Sequence, residues 1–139
     1  MLRVWWFVAR PHTRGVKLVL QRGDELLFVR HSYGARANWE LPGGGLKAGE
    51  EPLDAARREG REELGVQTDG WTEVGAIVAR HRATAHLTVF HAVHDGAPLH
   101  LELVELEEAR WAPRDAPPQP LGEHAAEVLA LDGLARAWR

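Results

Sequence analysis

The stretch from Gly44 to Val66, GGLKAGEEPLDAARREGREELGV, constrains the fold more than any other part of the chain. Proline is tolerated at the first position of a helix and glycine supplies a left-handed C-terminal cap, so Glu51-Pro52 reads as a helix start and Leu64-Gly65 as its stop. An α-helix of about three to four turns fits between them. On it Glu59, Glu62 and Glu63 stand at i, i+3 and i+4, so their carboxylates crowd one face, while Leu53, Ala56 and Leu64 fall on the side that packs inward. Carboxylates this close repel unless positive charge sits among them. Hard oxygen ligands on one rigid element suit Mg²⁺ or Mn²⁺, which keep several waters and share phosphate oxygens of a substrate. The glycine loop Gly43-Gly44-Gly45 lets the backbone approach the same place, where a carbonyl can add a ligand. Arg58 precedes Glu62 by four residues and reads as a group that orients a carboxylate. Taken alone, the helix fits a solvated, charge-laced surface helix equally well.

The remaining sequence describes a chain of mixed architecture. With 139 residues, 45% of them hydrophobic, it reads as a single domain spanning 1–139 with enough core to fold alone. A formal charge of −3 gives no basic field, so duplex nucleic acid is not an expected partner, while a local site for a phosphorylated small molecule remains open. The absence of cysteine excludes disulfides and thiolate metal sites. The apolar start Val4 to Ala9 is too short to span a membrane and lacks a cleavage site, and a soluble, cytoplasmic protein without membrane partners is expected.

Residues 2–9 read as a short helix or an edge strand, with Trp5 and Trp6 serving the core, a dimer face, or both. Val16 to Leu20 and Leu26 to Val29 form a β-hairpin, and Trp39 to Leu41 a brief strand. Trp71 to Arg80, His86 to Val93 and Ala109 to Ala112 supply further strands, and a proline-rich connection leads to an amphipathic helix over Glu123 to Ala137. In a strand His86 and His91 point to opposite faces, so a ligand set shared among His81, His86, His91 and His94 is not expected; His91 reads as a satisfied core histidine or a pocket wall.

The spacing Gly44, Glu50, Arg58-Glu59, Glu62-Glu63, Gly65 and apolar Val66 resembles the Nudix box, Gx5Ex7REUxEExGU, with every fixed-identity position filled. Chance agreement at seven identities is on the order of one in 10⁵ for a chain this long, which decides for the box and against the bare surface helix. The first apolar position of the box is Gly60 here, which predicts that a large side chain, such as a tryptophan, fills the space above it. The run Trp39-Glu40-Leu41-Pro42-Gly43-Gly44-Gly45 is similar to the usual entry into the box, and Glu105-Leu106-Glu107-Glu108-Ala109-Arg110-Trp111 to a stretch preceding the final strand.

The resemblance implies an α/β fold, a Nudix-like α/β/α sandwich with a mixed sheet between helices. It implies hydrolysis, with Mg²⁺ or Mn²⁺, of a diphosphate bond in a nucleoside diphosphate linked to another moiety: a nucleotide sugar, an ADP-ribose-like compound or a nucleoside triphosphate. The implied metal ligands are Glu59, Glu62, Glu63 and the Gly43 carbonyl, supported by Glu50 and Arg58. Glu62 is the first choice of base and Glu105 the later alternative, ahead of Glu107. Arg30, His31, Tyr33 and Arg36 are candidates for holding phosphate or stacking a base. A nucleotide-binding or regulatory module that does not cleave is the second function class; the full acidic set argues against it, and a Nudix-fold isomerase would want a cysteine. A homodimer is compatible with the resemblance.

Overall fold

The computed structural model describes residues 12–31, 38–80, 84–101 and 106–139. The expectations for residues 2–9 with Trp5 and Trp6, and for Tyr33, Arg36, His81 and Glu105, lie outside these residues, as do the side chains of His31 and Glu107.

Strand β1 (His12–Arg22) and β2 (Glu25–His31) form the expected hairpin, closed by Gly23-Asp24 with Gly23 at φ 60. β1 also runs parallel to β5 (Thr84–Val93), and β4 (Thr72–Arg80) completes that side antiparallel to β5. β6 (Leu106–Pro113) closes the other edge along β2, giving the order β4-β5-β1-β2-β6. The sheet is therefore mixed.

The glycine run is a strand and not a loop. β3 (Gly43–Gly45) pairs antiparallel with Gly15 to Lys17 of β1, while β1 keeps β2 as a partner only at Gln21 and Arg22. One edge of β1 thus forks between two partners. The brief strand expected at Trp39 to Leu41 reduces to isolated bridges, Val29 to Glu40 and Trp39 to Leu121. Sterics explain the shift: a Cβ at Gly43 would stand 2.1 Å from the Val16 carbonyl oxygen, and one at Gly44 1.8 Å from Glu59 Oε2. Only a backbone without side chains fits between β1 and Glu59.

Helix α1 (Pro52–Glu59) starts at the expected proline and passes into a π-helical turn at Gly60–Leu64, capped by Gly65 at φ 71. The continuous α-helix expected here is corrected in its last turn. The widening begins at Gly60, the residue of weakest helix propensity in the segment, and Trp71 occupies the space above it: its Cζ2 would lie 3.1 Å from a Cβ on Gly60. Trp71 is the tryptophan that the glycine predicts.

The C-terminal helix is likewise two elements, α2 (Glu123–Leu129) and α3 (Asp132–Ala137). The break lets Gly133 meet β4 so closely that a Cβ there would lie 1.8 Å from the Val74 carbonyl oxygen. Alternation along the strands sends Val16, Leu18 and Leu20 of β1 with Phe90 of β5 onto α1, and Val19, Phe28, Leu87 and Val89 onto Val128 and Leu134 of the C-terminal helices. The result is the helix/sheet/helix sandwich that the box implies. Among the described residues no helix is long and apolar enough to cross a membrane.

Candidate active site

Arg58 organises the acidic cluster. Its Nε and Nη2 donate to Glu50 Oε2 and Oε1, both at 2.8 Å, in the fork-on-fork geometry that suits a guanidinium and a carboxylate. Nη2 also donates to the Gly45 carbonyl at 3.0 Å, while Nη1 faces Glu62 Oε1 at 3.4 Å and Glu59 Oε2 at 3.5 Å. The arginine ties helix α1 to β3 and to the turn before the helix. The Glu50 hydrogen bond raises the Arg58 pKa above its ordinary value, against the opposing effect of burial, and the same bond holds the Glu50 carboxyl below the usual range.

Glu59 and Glu63 are fully buried, whereas the Glu62 side chain is 42% exposed. The three carboxylates of this face differ in burial: Glu59 and Glu63 turn inward toward the glycine strand, and Glu62 is the more exposed, beside Arg58. Glu63 Oε1 accepts from the Gly43 N–H at 3.3 Å, and Glu59 lies in the space that glycine leaves at Gly44. Among the described residues no group of three or more His, Asp or Glu is arranged to hold a metal ion. The donor set nevertheless fits a hard divalent cation: carboxylate oxygens on one rigid element, facing a strand whose missing Cβ atoms leave the backbone within reach.

The other sequence candidates separate. Arg30 forms an ion pair with Glu108 and stacks its Cζ 4.9 Å over the Trp39 ring. His91 is the core histidine expected: it is 4% exposed and its Nε2 lies 2.7 Å from Gln21 Oε1. Burial, and then the charge of Arg139, lower its pKa. His86, on the opposite face, is exposed. Two further cations lie on the strands, Lys17 at the fork of β1 and Arg110 on the edge strand β6. A lysine between Val16 and Leu18 in an apolar strand is the signal that marks the first, and the second stands in the stretch Glu105 to Trp111 noted above.

The NUDIX domain family model matches residues 11–131. The chain belongs to the Nudix family. It is 32% identical to an RNA pyrophosphohydrolase of Caulobacter vibrioides, over 91% of this chain and 88% of that protein. It is also 30% identical to the NAD-capped RNA hydrolase NudC of Pseudomonas putida, over 81% of this chain but 41% of that one. The chain spans about two fifths of the length of several curated relatives that it matches. A solved Nudix fold, the MutT NUDIX hydrolase of Burkholderia pseudomallei, superposes with a TM-score of 0.78 at 22% identity, covering 88% of this chain and 99% of that one.

Proposed function

We propose that this Nudix chain hydrolyses a diphosphate bond in a nucleoside diphosphate linked to another moiety, with Mg²⁺ or Mn²⁺ held by Glu59, Glu62, Glu63 and the Gly43 carbonyl. The observation that carries the reading is the pressing of two buried box glutamates, Glu59 and Glu63, onto a strand made of glycine. Burying carboxylates is costly unless cations compensate, and a fold retains such an arrangement where a cation is part of its work. The bound cation supplies charge neutralisation at phosphate oxygens and a water of lowered pKa.

The chain's own residues divide the remaining tasks. Glu62, the exposed member of the set, has the access to take a proton from the attacking water, with Glu105 as the later alternative. Arg58 and Glu50 position the acidic residues by holding α1 against β3. Arg30, with His31, Tyr33 and Arg36, belongs to the substrate side. The partner in this reading is a phosphorylated small molecule or a nucleotide-bearing 5′ end, not a duplex.

Phosphate release with a coupled phosphatase tests the reading on nucleoside triphosphates, nucleotide sugars, ADP-ribose, dinucleoside polyphosphates, and RNA carrying a 5′-triphosphate or an NAD cap. Turnover that requires the divalent ion and disappears in Glu62→Gln is the expected result. Saturable nucleotide binding without turnover on any member would replace the hydrolase by a binding module.

A further inference from the structure

We infer that Trp71 is a positioning residue of the acidic site: seated on Gly60, it holds the last turn of the box helix in its π-helical form, and that turn aligns Glu63 with Glu59 and swings Glu62 out to solvent. The inference deepens the hydrolase reading above and rests on it for what the three glutamates do, while their arrangement is measurable without metal or substrate.

The arrangement follows from where the helix bonds close. The Gly60 N–H still bonds back to the Ala56 carbonyl in the α-helical manner. The Gly60 carbonyl, by contrast, accepts from the Gly65 N–H, which it shares with the Arg61 carbonyl, and from the Val66 N–H at 2.9 Å. Underwinding therefore starts at Gly60 and acts on the residues beyond it. In an α-helix each residue advances about 100°, which places Glu63 about 40° to one side of Glu59 and Glu62 about 60° to the other. Closing bonds onto the fifth residue instead of the fourth spreads the turn over more residues, so that each advances by less. The lag carries Glu63 back toward the line of Glu59 and carries Glu62 further from it. Burial has this pattern: Glu59 and Glu63 are fully buried, and the Glu62 side chain is 42% exposed. The same lag brings Leu64, which an unbroken α-helix would set about 80° from Ala56, back over the core, where both side chains are fully buried.

Gly60 does not dictate this turn through its backbone. At φ −59 and ψ −43 it has an ordinary right-handed conformation open to any residue. What it supplies is room, since Cζ2 and Nε1 of Trp71 stand 3.1 and 3.4 Å from where its Cβ would be. The ring is fixed from outside the helix. Trp71 directly precedes β4, whose first residue Thr72 pairs with His91 of β5, and it is buried in the cluster that holds Leu64 and Phe90. A side chain anchored on the sheet and pressed on one point of the helix sets where the helix lies there, because a close-packed interior transmits the contact.

Filling space is too small a role for this tryptophan. Its Nε1 is buried and has no hydrogen-bond partner among the described residues, a cost that an aliphatic side chain on the helix at position 60 would fill the gap without. The ring differs from such a side chain in leaving the helix wall free to widen beneath it.

Moving the bulk from the sheet to the helix separates positioning from filling. Gly60→Leu combined with Trp71→Ala refills the space from the helix side, and Trp71→Leu removes the ring with less disturbance. Carbodiimide coupling of an amine to the carboxylates of the metal-free chain, read by peptide mass spectrometry, is expected to mark Glu62 in the wild type and to spare Glu59 and Glu63. In both variants Glu63 should gain label severalfold while Glu59, which precedes the turn, stays protected. Wild-type labelling in either folded variant overturns the proposal, and Trp71→Leu decides where the double variant does not fold. Equal gains at Glu59 and Glu63 would also overturn it, by showing that the ring only holds the helix to the sheet. In Mn²⁺ titrations followed by electron paramagnetic resonance the variants are expected to bind roughly tenfold more weakly, the usual scale for losing a group that orients a ligand. Unchanged Mn²⁺ affinity in a variant whose Glu63 has lost protection would deny Trp71 any part in positioning the site. A wild-type chain that binds no Mn²⁺ loses the metal-dependent reading, while the labelling pattern still decides what Trp71 does to the turn.

Discussion

Arg58 and Arg110 are the same side chain in opposite circumstances. Arg58, with a side chain 10% exposed, is engaged by Glu50, the Gly45 carbonyl, Glu59 and Glu62. Arg110 is exposed, and what it touches among the described residues is the face of Trp39. A guanidinium saturated by carboxylates holds the protein's own acids in place; one laid on an aromatic ring at the surface holds little but the ring beneath it. Substitution should therefore cost much stability at the first and little at the second.

The largest effect is expected at the inward carboxylates. Glu59→Gln removes a buried charged oxygen without changing shape, and turnover should fall by roughly 10²-fold or more while the thermal transition persists. A variant with wild-type turnover would take Glu59 out of the machinery. Arg58→Gln comes next: it leaves Glu50 without its bidentate partner in a site where both side chains are nearly buried, a loss of about 3 kcal/mol by urea denaturation. Arg110→Gln should change the same measurement by less than about 0.5 kcal/mol, which is the sharpest form of the contrast. Equal losses at the two arginines would erase it.

Gly60→Leu lies between these in size. The added side chain must displace Trp71, which already stands 3.1 Å from the first atom to be added, and overpacking of this kind costs about 1–3 kcal/mol. The melting temperature should drop, and Trp71→Ala in the same chain should recover part of the loss. A smaller effect belongs to His91. Its folded pKa is depressed by burial, so the unfolded chain takes up the proton first as pH falls. The stability that the neutral ring contributes is complete above the unfolded histidine pKa of about 6.5 and is lost as pH falls from there toward the lower folded value. The melting temperature of His91→Gln should accordingly decline less between neutral pH and that lower range than the wild-type value does.

The box helix shows how far local sequence reaches. Pro52 and Gly65 set its ends because their backbone preferences act within a turn, and Gly60 announced a large neighbour because a missing side chain in a packed face must be filled. The hairpin of β1 and β2 was legible in the same way, from two apolar runs about a turn. The π-helical turn was not, since its widening accompanies a contact with Trp71, eleven residues further along. Nor was the division among the acidic residues: spacing brings Glu59, Glu62 and Glu63 near one another, but packing against β3 decides which are buried.

Sequence by itself determined the hairpin, the strands β4, β5 and β6, the box, the identity of its acids and the family they belong to, because those follow from periodicity and from residue types at fixed intervals. Only the tertiary structure turned three glycines into a strand, broke the last helix so that Gly133 could lie on β4, and brought Arg30 and Arg110 over the ring of Trp39. Those outcomes depend on which backbone approaches which, and on strand partners far apart in the chain, and no window of neighbouring residues contains that information.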